Sequence, residues 1–203
     1  MSRKPTRPWA LFAMALLLVW PAAAAESAIK KHVEHAKAAL LKKDLKTAER
    51  DLRSASEDLG KAARNAPAAA KESLESSARE MKVLAEDVEK GTVADAKRID
   101  DASGRAYHAL ARERFATATE AWTKKDAKAT GKALKEAADH LEDGAAVAGK
   151  DASDSAKEVA RGTRDVSGKL IQGSGWTAEE VGRGMDSFGK ELANLGKRVG
   201  SKI

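Results

Sequence analysis

Cysteine is absent from this chain of 203 residues, so no disulfide can stabilise its fold. Proline and aromatic residues are also scarce: Pro67 is the one proline beyond residue 25, and aromatic residues make up 4% of the sequence. No stretch shows the alternation of apolar and β-branched residues that is typical of a strand. The abundant residues Ala, Lys, Glu, Leu and Arg favour helices. The sequence therefore predicts an all-α protein that is stabilised by packing alone.

The first 25 residues have the three-part layout of a secretory signal peptide. Three basic residues precede an apolar run at 9–20, which is shorter than the ~20 residues that a membrane-spanning helix needs. Ala23-Ala24-Ala25 fits the rule for cleavage after small residues, so we expect Glu26 to be the first mature residue. No cysteine follows the run and no arginine pair precedes it, which argues against a lipoprotein and against twin-arginine export. The sequence predicts a periplasmic or secreted protein.

Charge and motifs exclude several classes of function. The formal net charge is +6, but the signal peptide carries three of these charges, and the remainder is spread along the chain. We therefore expect no nucleic-acid partner. The sequence holds no glycine-rich phosphate loop, nucleophile elbow or cofactor fingerprint. These absences predict a protein that is not an enzyme, with no cofactor and no evident small-molecule substrate.

The four histidines raise the question of a metal site. His32 and His35 lie three residues apart with Glu34 between them, a spacing that can hold zinc when further ligands converge. His108 and His140 are distant in sequence, and no cysteine is available. We expect solvated surface histidines and no metal site.

The apolar spacing predicts five helices between residues 26 and 150, which we take as a helical-hairpin domain. The first is expected over 27–43, the second from Leu45 to about Asn65, and the third over 68–90, with Gly91 as its C-terminal cap. A long fourth helix is expected to begin at Val93 and to run through Trp122. A fifth follows Asp126.

Two segments 82 residues apart share a phrase. Residues 41–59 read LKKDLKTAERDLRSASEDL, residues 123–141 read TKKDAKATGKALKEAADHL, and seven of the 19 positions match. The matching residues are Lys42, Lys43, Asp44, Lys46, Leu52, Ala55 and Leu59 in the first segment, and Lys124, Lys125, Asp126, Lys128, Leu134, Ala137 and Leu141 in the second. This pattern favours two related helical hairpins in which KKD is the turn and the aspartate caps the outgoing helix. Chance similarity between two helices of like composition is the alternative.

The phrase HVEHAKAALLKKDLKTAERDLRSASEDL, residues 32–59, resembles the helical hairpin of YfdX family proteins. Residues 112–141 resemble the later hairpin of that family more loosely. The likeness covers about a third of the mature chain and consists of alanine and leucine spacing around the turn. It implies an exported bacterial protein with a stress-related or chaperone-like role and with no catalytic residues.

Residues 151–203 form a tail that is rich in glycine and serine. Gly173-Ser174-Gly175 is expected to be a hinge, and the capping-box spacing at Thr177 predicts the start of an amphipathic C-terminal helix. Glycines recur every seven residues beside its apolar stripe, which suggests that another surface approaches closely. The predicted interaction surface consists of Val181, Gly182, Met185, Phe188, Gly189, Leu192, Leu195, Gly196 and Val199.

Three interpretations of this C-terminal helix remain open. It packs on its own domain, it joins copies or partner proteins through the glycine-lined seam, or it lies on a membrane surface through its apolar face. The first functional hypothesis is an exported, non-enzymatic protein that acts by protein-protein interaction or self-assembly. The alternative is a peripheral membrane or envelope-associated protein. A loosely folded protective polypeptide is a third hypothesis.

Overall fold

The computed structural model describes residues 22–93 and 95–200, with side chains from residue 28 onward, so that most of the predicted signal peptide lies outside the described residues. Within these ranges the chain forms seven helices and no strand, which confirms the prediction of an all-α helical bundle. The helices are α1 (Ala22–Leu41), α2 (Leu45–Asn65), α3 (Ala68–Glu89), α4 (Lys97–Thr123), α5 (Ala127–Ala148), α6 (Lys150–Gln172) and α7 (Ala178–Arg198).

Each helix packs against the next one in the sequence, and short connections make neighbouring helices antiparallel. The helix α7 also contacts α4 and α5, and so closes over the second half of the bundle. Alanine supplies a large share of the buried side chains, so that the helices pack closely.

The two KKD segments form the same turn, as the sequence predicts. Lys43 and Lys125 adopt left-handed conformations, with φ of 60° and 59°, and are the non-glycine residues with positive φ in the described chain. In the first turn the Asp44 amide donates to the Ala39 carbonyl at 2.9 Å, and in the second the Asp126 amide donates to the Ala121 carbonyl at 2.9 Å. Each aspartate side chain then accepts from an amide three residues on and caps the next helix.

Replacing Asp44 or Asp126 by alanine should lower the free energy of unfolding by about 0.5–2 kcal/mol in each case. The reason is that each carboxylate satisfies an amide in the first turn of a helix, from Thr47 or Ala129, that would otherwise have no intrahelical partner. Urea denaturation measures both values, and asparagine at either position should retain most of the stability. A null effect at one turn alone would contradict the equivalence of the two turns.

The equivalence extends beyond the hairpins to a third helix. Adding 82 to the bounds of α2 and α3 gives 127–147 and 150–171, within one residue of α5 and α6. All six buried residues of α2 have a buried counterpart 82 positions later in α5. Six of the seven buried residues of α3 have one in α6. The repeated unit therefore contains three helices, a helical hairpin and the helix that follows it.

The helix α7 stands where a third copy of the unit would begin. Val181, the first buried residue of α7, lies 82 positions after Ile99, the first buried residue of α4. An ion pair between Asp87 and Arg98 joins α3 to α4. The residues 82 positions later, Lys169 and Glu180, form an ion pair that joins α6 to α7, with the two charges exchanged. We therefore interpret α7 as the counterpart of α1 and α4, the first helix of a repeated unit.

The bounds of α1 and the start of α4 differ from the sequence prediction. The helix α1 extends from Ala22 to Leu41, and so ends two residues before the predicted end because Lys43 turns into the left-handed region. The helix α4 begins at Lys97 and not at Val93, because the Asp95 side chain accepts from the Lys97 amide at 2.8 Å and stops the helix there. Val93 is nevertheless buried.

The helix α6 has no counterpart in the sequence prediction, which placed only one helix in the glycine- and serine-rich tail. Its buried face consists largely of small residues, namely Ala152, Ala156, Ala160, Thr163, Val166, Ser167 and Leu170. Glycine, serine and aspartate are frequent between these buried positions, and such residues are typical of turns and loops, so the composition hid the helix. The expected hinge at 173–175 is a tight turn in the structure, where Gly173 and Gly175 adopt φ of 77° and 76°.

Candidate interaction surface

The helix α7 begins where the sequence predicts. The Thr177 hydroxyl accepts from the Glu180 amide at 3.1 Å and caps the helix. Glu179 and Glu180 lie in the first turn and Lys197 and Arg198 in the last, which is the charge arrangement that the helix dipole favours.

The predicted interaction surface on α7 packs against the protein's own bundle. Val181, Phe188, Leu192, Leu195 and Gly196 are buried, and Gly182, Met185, Gly189 and Val199 are half-buried. Val181 joins a cluster that includes Leu134 and Leu170, and Phe188 stacks at a tilt on Phe115, with ring centroids 5.1 Å apart. Of the three interpretations of this helix, packing on its own domain is the one that the structure exhibits.

The glycines of α7 play unequal parts in this packing. A Cβ atom at Gly196 would lie 2.7 Å from Nε2 of His108 on α4, so the close approach there requires glycine. A Cβ atom at Gly189 would make ordinary contact with the Phe115 ring at 3.6 Å, and one at Gly182 would meet no heavy atom within 4 Å. The expectation that another helix approaches closely is therefore met at Gly196, and the helix is α4.

Polar side chains of α4 form hydrogen bonds with backbone carbonyls at the end of α7. The Arg105 guanidinium donates to the Val199 carbonyl at 3.1 Å, and its other nitrogens bind the Glu80 carboxylate of α3. His108 Nε2 lies 3.2 Å from the Leu192 carbonyl, to which it must donate because a carbonyl oxygen only accepts. Its Nδ1 is buried and has no hydrogen-bond partner among the described residues.

The histidine prediction needs correction for two of the four residues. His108 and His140 are 2% and 6% exposed, because both lie on helix faces that pack inside the bundle. His32 stays at the surface, near the carboxylates of Asp51 and Asp58 on α2, at 3.7 and 3.9 Å. In the part of the chain that the structure describes, no group of three or more His, Cys, Asp or Glu side chains is placed to hold a metal ion.

The buried His108 should make stability depend on pH. Burial, together with the positive charge of Arg112, lowers the pKa of His108 to about 4. The unfolded chain takes up the proton near pH 6.5, so the contribution of the neutral imidazole is fully present above pH 6.5 and is lost as the pH falls toward 4, a loss of roughly 3 kcal/mol. His108→Gln keeps a donor for the Leu192 carbonyl but does not titrate.

Urea denaturation at pH 7 and at pH 4 tests this dependence. The native protein should lose about 3 kcal/mol more between the two values than His108→Gln does, because the titration of all other groups is common to both proteins. Equal losses in the two proteins would show that His108 does not titrate from a buried site.

A groove of about 590 Å³ lies between α3 and α4, and one of its lining residues, Arg105, also donates to the Val199 carbonyl at the end of α7. Its residues are Ser76, Arg79, Glu80, Val83 and Leu84 of α3, and Arg98, Asp101, Ala102 and Arg105 of α4. Val83 is 54% exposed and is, with Leu41, one of the two large apolar side chains that are exposed in the described chain. Sequence reasoning missed this groove, although Val83 interrupts the polar outer face of α3 and was a visible signal.

The charges in the groove are unevenly paired. Arg105 forms an ion pair with the Glu80 carboxylate, and Lys97 forms one with the Asp101 carboxylate at 2.7 Å, so both acidic residues of the groove are paired. Arg98 has one ion pair, with Asp87 outside the groove at 2.7 Å. Arg79 is exposed and forms no ion pair with the described residues. The groove therefore offers guanidinium donors next to apolar surface.

Comparisons with models of protein families, with curated proteins and with solved structures each returned no match. The resemblance to YfdX proteins thus stays a prediction. No helix between residues 22 and 200, as far as these residues are described, has the length and hydropathy needed to cross a bilayer.

Proposed function

We propose that this chain is an exported, non-enzymatic helical protein that acts by binding other proteins. The observation that carries the proposal is the groove between α3 and α4, where the exposed Val83 lies beside arginines without a full set of partners. Arginine is enriched at protein interfaces, where its guanidinium donors lie next to buried apolar groups. The layout of residues 1–25 supports export, and the YfdX resemblance supports a stress-related, chaperone-like role.

The packing of α7 favours this function over self-assembly or membrane binding through the tail. Phe188 and Val181 are fully buried in the bundle, so the apolar stripe on which both alternatives depend is already covered. The outward face of α7 is polar, with Arg183, Asp186 and Lys190 exposed. An outward face of this kind presents charged side chains, and not an apolar surface, to lipid or to a second copy.

Suppression of aggregation tests the proposal directly. A test protein unfolded by heat should scatter markedly less light in the presence of an equimolar amount of residues 26–203 than with the same mass of serum albumin. The physical reason is that binding of the unfolded chain competes with its self-association. Equal scattering in both mixtures would contradict a chaperone-like role.

Sedimentation with vesicles tests the membrane alternative. Vesicles that contain anionic lipid should leave residues 26–203 in the supernatant, because the apolar face of α7 is covered. Sedimentation that is lost when the chain ends at Ser174 would favour the envelope-associated function instead.

A further inference from the structure

The groove between α3 and α4 can be compared with an equivalent site in the same molecule. The repeat places a second pair of helices, α6 and α7, at the equivalent positions 82 residues later. Comparison of the residues at equivalent positions shows which features of the groove occur only between α3 and α4. A residue type that differs between two equivalent positions is not dictated by the helix arrangement that the two pairs share.

Eight of the nine residues that line the groove are replaced at the equivalent positions, and the ninth, Arg79, corresponds to Arg161. The exposed Val83 corresponds to Asp165, which is also exposed, and Glu80 corresponds to Gly162. Arg98 corresponds to Glu180, so the charge of that wall is reversed. At Gly184, the counterpart of Ala102, a Cβ atom would lie 3.4 Å from Val166, so α7 lies close against α6 there.

We infer that the α3/α4 groove binds an acidic segment of a partner protein, with an aliphatic side chain of the segment against Val83 and its carboxylates on Arg79 and Arg98. This inference rests on the proposed function and specifies its surface. Leu84 and Ala102, which are 3% and 2% exposed, form the apolar floor of the groove.

Charge complementarity selects an acidic occupant over a basic one. Glu80 and Asp101 each have a cation, Arg105 and Lys97, and Arg98 pairs with Asp87, so Arg79 is the charged residue of the groove without an ion pair among the described residues. The guanidinium of Arg79 has no hydrogen-bond or ion-pair partner among the described residues, and guanidinium groups bind carboxylates with two parallel hydrogen bonds.

The second copy supplies variants that should fold. Asp87→Lys combined with Arg98→Glu recreates the ion pair of Lys169 and Glu180, but reverses the charge on the wall of the groove. Val83→Asp introduces the residue that the second copy carries at the exposed position. The matched control is Lys169→Asp combined with Glu180→Arg, which makes the same exchange between α6 and α7, away from the groove.

Fluorescence anisotropy of a labelled peptide of alternating glutamate and leucine tests the inference with residues 26–203. We expect binding that weakens with salt, falls at least tenfold in Val83→Asp and in the Asp87→Lys/Arg98→Glu protein, and is unchanged in the control. A peptide of alternating lysine and leucine should bind at least tenfold more weakly. Circular dichroism of each variant verifies that it is folded.

Two results would overturn the inference. One is that the acidic peptide fails to bind the native protein, and the other is that folded Val83→Asp binds it as tightly as the native protein does. The aggregation assay separates this failure from that of the proposed function. If Val83→Asp still suppresses aggregation, the protein binds other proteins through a different surface; if the native protein does not suppress it, the proposed function fails as well.

Discussion

Replacing Phe188 by alanine should lower the free energy of unfolding by about 3–5 kcal/mol. The Phe188 side chain is fully buried, and it contacts the Phe115 ring of α4. The rest of its cluster is mainly alanine, including Ala111 and Ala137. Short side chains cannot move into the space that the ring leaves, so the cavity should persist and the loss should lie toward the upper end of the range.

Urea denaturation of residues 26–203 measures this loss, with Phe188→Leu as the matched control. Leucine fills most of the cavity and should lower stability by only about 1–1.5 kcal/mol. If Phe188→Ala loses less than about 1 kcal/mol, the ring is not buried in solution and α7 is not docked on α4.

Replacing Gly131 by alanine should have the second large effect on the free energy of unfolding. The effect should be opposite in sign to that of the same replacement at Gly162, another helical glycine. A Cβ atom at Gly131 would lie 2.8 Å from the Ser167 carbonyl oxygen and 2.9 Å from Leu170 Cβ. Both atoms belong to the backbone or to the base of a side chain, so α6 itself would have to move away from α5. We expect Gly131→Ala to lower the free energy of unfolding by about 1–3 kcal/mol.

Gly162, on the exposed face of α6, provides the control. A Cβ atom there would meet no heavy atom within 4 Å. Gly162→Ala should therefore raise stability by roughly 0.5–1 kcal/mol, because alanine loses less backbone entropy than glycine in a helix. If both variants were stabilising, α5 and α6 would not pack as closely as the structure shows.

Local chemistry made part of this fold predictable. The KKD turns and the cap at Thr177 depend on residues within a few positions of one another, and the structure places all three as predicted. The helix α6 was missed because glycine, serine and aspartate are frequent between its buried positions, and these residues are common in turns and loops. The repeat was visible in one helical hairpin only, since α3 and α6 share buried positions but few residue types.

The helix that α7 packs against could not be identified from the sequence. The heptad spacing of Gly182, Gly189 and Gly196 predicted a close neighbour but did not identify it. The neighbour is α4, where His108 meets the Leu192 carbonyl across 84 residues of chain. No local pattern encodes a contact at that separation. The groove at Val83 likewise forms only when α3 and α4 pack side by side.

The mass of the protein in solution tests the docking of α7 most directly. Light scattering should find residues 26–203 as a monomer, because the apolar stripe of α7 is covered by α4, α5 and α6. A chain that ends at Ser174 leaves the apolar surfaces of α4 and α6 exposed, so it should form larger species or unfold. A defined oligomer of the longer chain that falls to a monomer on truncation would contradict this account and make α7 an assembly helix.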